Sequence, residues 1–157
     1  MANKLLQMRA LSVAQPWAEC IVSKGKNIEN RSWNTKHRGY FLIHASASKS
    51  KERFQYCFDD YGIKFDPEEL SFGAIVGIAE LSDVVTKKTL TRTTKKWFYG
   101  EYGFVLSNVI KLKQPIKVKG SLSFWKTPAD VLKDIQKQLS QQDIKKINQK
   151  ILGIKNA

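Results

Sequence analysis

The segment Gly25-Lys26-Asn27-Ile28-Glu29-Asn30-Arg31-Ser32-Trp33 concentrates charge beside apolar and β-branched residues. In an extended chain alternate side chains project to the same side, so Glu29 and Arg31 share one face, with Lys26 just before them. Such a lysine, glutamate and arginine array forms either an ion-pair network or the polar wall of a pocket. Glu80 is a second feature of this kind, because it interrupts Ile75-Val76-Gly77-Ile78-Ala79, a stretch that reads as buried strand. An acid there must be paired, hydrogen-bonded or catalytic, since an isolated buried carboxylate costs several kcal/mol. Structural pairing with a lysine or arginine competes with catalysis as its explanation.

His37 and His44 are the only histidines, so any Ser-His-Asp triad must use one of them. His37 lies in the basic turn Lys36-His37-Arg38, which suits either a phosphate contact or solvated charge. His44 ends an apolar run and reads as a core histidine bonded to backbone, or as a base. There is no glycine-rich phosphate loop, nucleophile elbow, paired-histidine zinc helix or calcium loop. Two cysteines, Cys20 and Cys57, exclude a disulfide scaffold and a four-cysteine metal site. Neither a metal nor a cofactor is expected. The aromatic residues Trp17, Trp33, Tyr40, Trp97, Tyr102 and Trp125 are spread among polar segments. Core packing accounts for several, but flat rings beside Lys and Arg also suit base stacking, worth ~1–3 kcal/mol per base.

The elements that must position these groups are mixed α and β. Residues 5–13 read as an opening strand, and Pro16 starts a helix that Gly25 closes. Residues 28–33 and 39–45 read as strands, and Ser48 as the cap of a helix to about residue 58. Residues 73–85 form the strongest strand pattern, followed by an exposed, Thr- and Lys-rich loop at 86–96. Strands are expected at 102–112, 116–118 and 122–125. Thr127-Pro128-Ala129-Asp130 is a helix start, capped by the Thr127 hydroxyl, and Ser140 caps a last helix. No helices interrupt residues 73–125, so the pattern predicts a curved sheet or small barrel rather than a doubly wound fold.

The chain has 157 residues, enough for one domain that folds without disulfides or metal. No apolar run of ~18 residues and no leader pattern is present, so a cytoplasmic, reducing setting and no membrane partner are expected. The net charge of +13 is unevenly spread: residues 83–126 carry 10 basic and 2 acidic side chains, whereas residues 1–82 carry 11 and 9. A field so concentrated attracts polyanions, of which nucleic acid is the commonest soluble example; a generally lysine-rich surface is the plainer alternative. Lys87, Lys88, Arg92, Lys95 and Lys96 are the expected basic rim, with Arg38 a further phosphate-binding candidate.

Three early blocks, Leu11-Ser12-Val13-Ala14-Gln15-Pro16-Trp17-Ala18, the Gly25–Trp33 segment above, and Arg38-Gly39-Tyr40-Phe41-Leu42-Ile43-His44-Ala45-Ser46, resemble the ASCH (activating-signal-cointegrator homology) domain. Gly73-Ala74-Ile75-Val76-Gly77-Ile78-Ala79-Glu80-Leu81, Tyr102-Gly103-Phe104-Val105-Leu106 and Gly120-Ser121-Leu122-Ser123-Phe124-Trp125 are similar to the same family, in family order over about residues 9–126. The resemblance implies an α+β, PUA-like fold: a small, mostly antiparallel β-barrel with helices packed around it and a cleft on one side. Residues 1–126 would form that domain, with 127–157 a C-terminal extension of two helices packed on it.

The family is associated with RNA and nucleic-acid binding, so RNA or a modified nucleoside is the implied partner. Some members remove acyl groups from N4-acetylcytidine without metal, using a lysine, a threonine and a glutamate. The lysine corresponds to Lys26 and the strand glutamate to Glu80. The threonine position falls on Glu29, which cannot reproduce a threonine alkoxide, so the mechanism would differ. In an amidohydrolase reading Glu80 or Glu29 activates water, Lys26 stabilises the oxyanion or protonates the leaving nitrogen, Arg31 holds a carboxylate, and Trp17 or Tyr40 stacks on the base. A non-catalytic RNA-binding module is the alternative, as is a metal-independent ribonuclease using Lys26, Tyr40, Ser46 and Ser121 around a scissile phosphate. Lys26, Glu29 and Glu80 are expected to converge on one cleft lined by Trp17 or Tyr40.

Overall fold

Alternating apolar strands and two amphipathic C-terminal segments resolve, in a computed structural model describing residues 3–154, into one curled sheet with helices on both of its faces. The strands are β1 (Arg9–Val13), β2 (Ile28–Arg31), β3 (Gly39–Ala45), β4 (Ala74–Val85), β5 (Tyr102–Lys117) and β6 (Phe124–Lys126), in the order β2-β5-β4-β3-β1-β6. Every neighbouring pair is antiparallel except β1 with β3. The helices are α1 (Trp17–Ser23), α2 (Lys51–Tyr61), α3 (Ala129–Lys137) and α4 (Gln141–Asn148). This is a half-barrel of the PUA-like α+β type.

Several local expectations shift. Residues 4–7 form a 3-10 turn before β1. Ser50, not Ser48, caps α2 by accepting from the Arg53 N–H. The strands expected at 102–112 and 116–118 are replaced by one 16-residue strand, Tyr102–Lys117, because β-bulges in its pairing with β4 let it bend without breaking. Pro128 takes the cap position of α3, and the buried Thr127 hydroxyl has no hydrogen-bond partner among the described residues. Ser140 caps α4 as expected, accepting from Asp143 N–H.

Strand alternation sends residues to two cores. Leu11, Phe41, Ile43, Val76, Leu81 and Phe104 fill the concave side beneath α1. Tyr40, Leu42, Ile75 and Ile78 face the opposite way, against Leu132 and Ile135 of α3 and Ile147 of α4. Burying each such aliphatic side chain contributes ~1.5–3 kcal/mol. After α4 the chain returns to β3, where Tyr40 N–H donates to Lys150 O (2.7 Å) and Leu152 N–H to Tyr40 O (3.1 Å). Gly39 permits that approach: its φ is +124°, and a Cβ there would lie 2.5 Å from Lys150 O. The last three residues of the expected extension lie outside the described residues. Among the described residues no helix is long and apolar enough to cross a membrane.

Candidate functional site

Gly25 turns the chain out of α1 with φ +73°, and Lys26 N–H then bonds to Cys20 O, so the next side chain is driven inward. Lys26 is 4% exposed. Its Nζ donates to Ile28 O and lies 3.5 Å from Glu29 Oε1. The other Glu29 oxygen receives both Arg31 Nε (3.0 Å) and Nη2 (2.9 Å). Arg31 Nη2 also donates to Ser12 O at 2.7 Å. Because β2 is one edge of the sheet and β1 lies next to the other edge, this bond draws the two margins of the half-barrel together. Burial lowers the Lys26 pKa, and the Glu29 carboxylate opposes that shift. The array is therefore both an ion-pair network and part of a pocket wall.

Three adjacent hollows with shared lining residues lie along this seam. The central one is lined by Ser12, Trp17, Glu29, Arg31, Trp33 and Ser46 among others. It shares Trp17 and Asn30 with a pocket of about 580 Å³, where Lys26 meets Tyr56, Tyr61, Trp97 and Tyr99. On its other side it shares Ser12 and Ser46 with a shallow basin of about 900 Å³ lined by Lys117, Lys119, Gly120 and Ser121. Together they form a trough with the Lys26–Glu29–Arg31 array beneath its middle.

Glu80 does not join this array, and the expected convergence of Lys26, Glu29 and Glu80 is corrected. Its strand neighbours Ala79 and Leu81 pack into the concave core, so the intervening Glu80 points to the opposite face. There it accepts from Asn108 Nδ2 (2.9 Å) and pairs with Lys150 Nζ (3.5 Å). Tyr40, its register partner, is on the same face, packed among the residues of α3 and α4. Burial, Glu80 and Asp143 raise the Tyr40 pKa. Tyr40 therefore neither stacks in the Lys26 cleft nor assembles with Lys26, Ser46 and Ser121 around a phosphate. Trp17 does line the cleft, and Ser46 lines two of its parts.

The loop that carries the five expected rim residues is anchored to β2. Asn27 Nδ2 donates to Thr93 O (2.7 Å), and Asn30 Nδ2 to Trp97 O (2.9 Å), tying the 86–99 loop to β2. Lys87, Lys88, Arg92, Lys95 and Lys96 are exposed on that loop. Arg38 is turned to its own chain, donating to Thr35 O and His37 O and facing Asp83 at 3.8 Å.

His44 is a buried, satisfied core histidine. Its Nε2 donates to Val118 O (2.8 Å), which leaves Nδ1 to accept from Ser12 Oγ (2.9 Å). Burial lowers its pKa against the opposing effect of the Val118 bond. Sequence reasoning missed Gln15, fully buried. Its side chain accepts from Glu19 N–H at the start of α1 and donates to Ser71 O, and its carbonyl receives Arg53 Nε. It also missed Tyr56, Tyr61 and Tyr99, whose spacing carries no local signal because they meet only in three dimensions. Among the described residues there is no group of three or more His, Cys, Asp or Glu able to hold a metal.

The fold is that of a solved relative, the ASCH protein from Zymomonas mobilis, with a TM-score of 0.50 and 15% identity over 87% of this chain and 98% of that one. In sequence the chain is 27% identical over 143 residues to activating signal cointegrator 1 of Homo sapiens, and 25% to that of Mus musculus. These matches cover 85% of this chain and 24% of each relative, so the chain spans about a quarter of their length. The family model described as the ASCH domain matches residues 11–116, well over half of the sequence and the stretch that builds β1 to β5 and the seam, and the chain belongs to the ASCH domain family.

Proposed function

We propose that this ASCH domain binds single-stranded nucleic acid, RNA in the first instance, along the seam trough. The observation that carries the reading is the exposed basic loop of residues 86–96, hydrogen-bonded to β2 at the rim of a trough with an aromatic end. Phosphates meet the lysines and Arg92, while bases reach the flat rings. The Lys26–Glu29–Arg31 array holds the trough's walls at a set spacing. The array keeps a net charge of only +1 and is largely buried, so most of the attraction for a polyanion comes from the rim.

Binding of labelled single-stranded RNA at ~50 and ~200 mM salt tests this. Five phosphate contacts on a single strand give a logarithmic slope of about −3.5, so affinity falls about 100-fold across that range. Replacing Lys87, Lys88, Arg92, Lys95 and Lys96 by alanine should flatten the slope. Affinity that barely changes with salt would overturn the reading.

A second reading, metal-free hydrolysis of an N4-acylated cytidine to cytidine and the free acid, draws on the buried Lys26 beside Glu29 at the trough wall. Release of acetate from N4-acetylcytidine in the presence of EDTA, lost in Glu29→Gln, would favour it. Shortening of the labelled RNA in the same tube would favour the ribonuclease alternative.

A further inference from the structure

Five aromatic rings converge at one end of the trough from three separate segments: Trp17 on α1, Tyr56 and Tyr61 on α2, and Trp97 and Tyr99 on the loop before β5. Trp17 stands edge-on to Tyr56 (centroids 6.1 Å, 79°) and to Tyr61 (5.9 Å, 82°). Tyr61 stacks on Trp97 at 4.1 Å and 19°. That packing accounts for Trp17, Tyr61 and Trp97. Tyr56 keeps half its surface open despite its contact with Trp17, and Tyr99, 72% exposed, takes no part in that packing.

The exposed Tyr99 ring is nevertheless held in place at its backbone. Asn30 Oδ1 accepts from Tyr99 N–H (2.8 Å), while Asn30 Nδ2 donates to Trp97 O. One β2 side chain thus spends its amide on presenting two rings of the pocket. A pocket of about 580 Å³ falls in the range of small-molecule sites. Its polar surroundings decide between planar ligands. Lys26 and Arg53 line it, and Lys96 Nζ lies 5.2 Å from the Trp97 centroid. Glu52 also lines the pocket and Glu29 pairs with Lys26, but three positive groups against two carboxylates leave a net positive site, which disfavours a cationic guest of the kind aromatic cages otherwise take. A neutral heterocycle attached to a phosphate meets rings and cations together.

We propose that the Trp17, Tyr56, Tyr61, Trp97 and Tyr99 pocket receives one unstacked nucleobase of the bound strand. The assignment rests on the nucleic-acid reading above and deepens it, because a base must leave its stack to enter. The ligand is then a single strand or an extruded nucleotide, not an intact duplex. Stacking is an uncharged contribution, so it is separable from the rim by its indifference to salt.

The test is Tyr99→Ala, with Tyr99→Phe as the variant that keeps the ring. Tyr99 is mostly exposed, so both variants should retain the wild-type thermal midpoint. Binding is measured to a fluorescent single-stranded oligoribonucleotide and to its duplex at two salt concentrations. Tyr99→Ala should weaken single-strand binding about 5- to 150-fold, with the salt slope unchanged, and Tyr99→Phe should restore it. The duplex should bind more weakly and be indifferent to both variants. Tyr99→Ala binding as well as wild type, with a steep salt slope retained, would overturn the base pocket while leaving the nucleic-acid reading intact. Equal loss for strand and duplex would also overturn it. No salt-dependent binding by the wild type would defeat the nucleic-acid reading itself.

Discussion

Replacing Glu29 by Gln removes one negative charge from between two positive ones while keeping the side chain's shape. Glu29 is 7% exposed and Lys26 4%, so neither can recruit bulk water in compensation. In wild type Lys26 Nζ faces Glu29 Oε1 at 3.5 Å, and Arg31 reaches the other oxygen at 2.9 Å. Breaking a buried pair by deleting one partner costs about 3–5 kcal/mol, because the remaining charge stays desolvated. In a domain of this length each kcal/mol moves the thermal midpoint by about 2–4 °C, so Glu29→Gln should melt roughly 6–20 °C below wild type at pH 7.

The pH dependence of that deficit follows from Lys26. Burial puts its folded-state pKa below the 10.5 of the free group, so the unfolded chain binds the proton more tightly. Stability therefore rises as pH climbs towards 10.5. Without Glu29 to oppose the shift, the folded-state pKa falls further and the rise begins at lower pH. The gap between variant and wild type should narrow between pH 7 and 10, as read by calorimetry on both proteins in the same buffers. An unchanged midpoint at pH 7, or a gap that widens in alkali, would refute the buried-pair reasoning.

Glu80→Gln should be much milder. Its partner Lys150 is half exposed, and the amide can still accept from Asn108, so a loss of about 1 kcal/mol or less is expected in thermal melts; wild-type RNA affinity should persist, since the residue faces α4 rather than the trough. His44 should act on acid stability. Its folded pKa lies below 6.5, so the stability it confers is complete above 6.5 and declines as pH falls below it. His44→Phe should flatten that decline in denaturant titrations at pH 7 and 5, and an unaltered slope would show that other groups govern it.

Much of the architecture was legible because apolar alternation and capping chemistry are local. The run from Gly39 to Ala45, the long pattern before Val85, the Ser140 cap and the proline at the start of α3 each act within a few residues. So was the pairing of Glu29 with Arg31, since two residues apart on a strand is a same-face spacing. The blocks that resemble the ASCH family anticipated the half-barrel for the same reason, carrying its turns and strands in order. Where local rules were ambiguous the expectations slipped: the strands expected at 102–112 and 116–118 merged into β5, and a serine two residues later capped α2.

The side of the sheet on which Glu80 lies could not be read from its own strand alone. Both faces of β4 are covered, so its apolar residues alternate without a polar face to mark the outside. Only the packing of α3 and α4 against Tyr40, Leu42 and Ile78 made one face theirs and brought Lys150 to the carboxylate. The aromatic pocket is a tertiary product too. Trp17, Tyr56 and Tyr99 are separated by about forty residues at each step, and no periodicity links them. They meet because Asn30 ties the loop to β2 while α1 and α2 pack edge to edge through their rings. Residue types and short spacings determined most of the strands, the Ser140 cap and the charged triad; which groups share a cavity was decided by the curl of the sheet, through contacts that long-range burial alone selects.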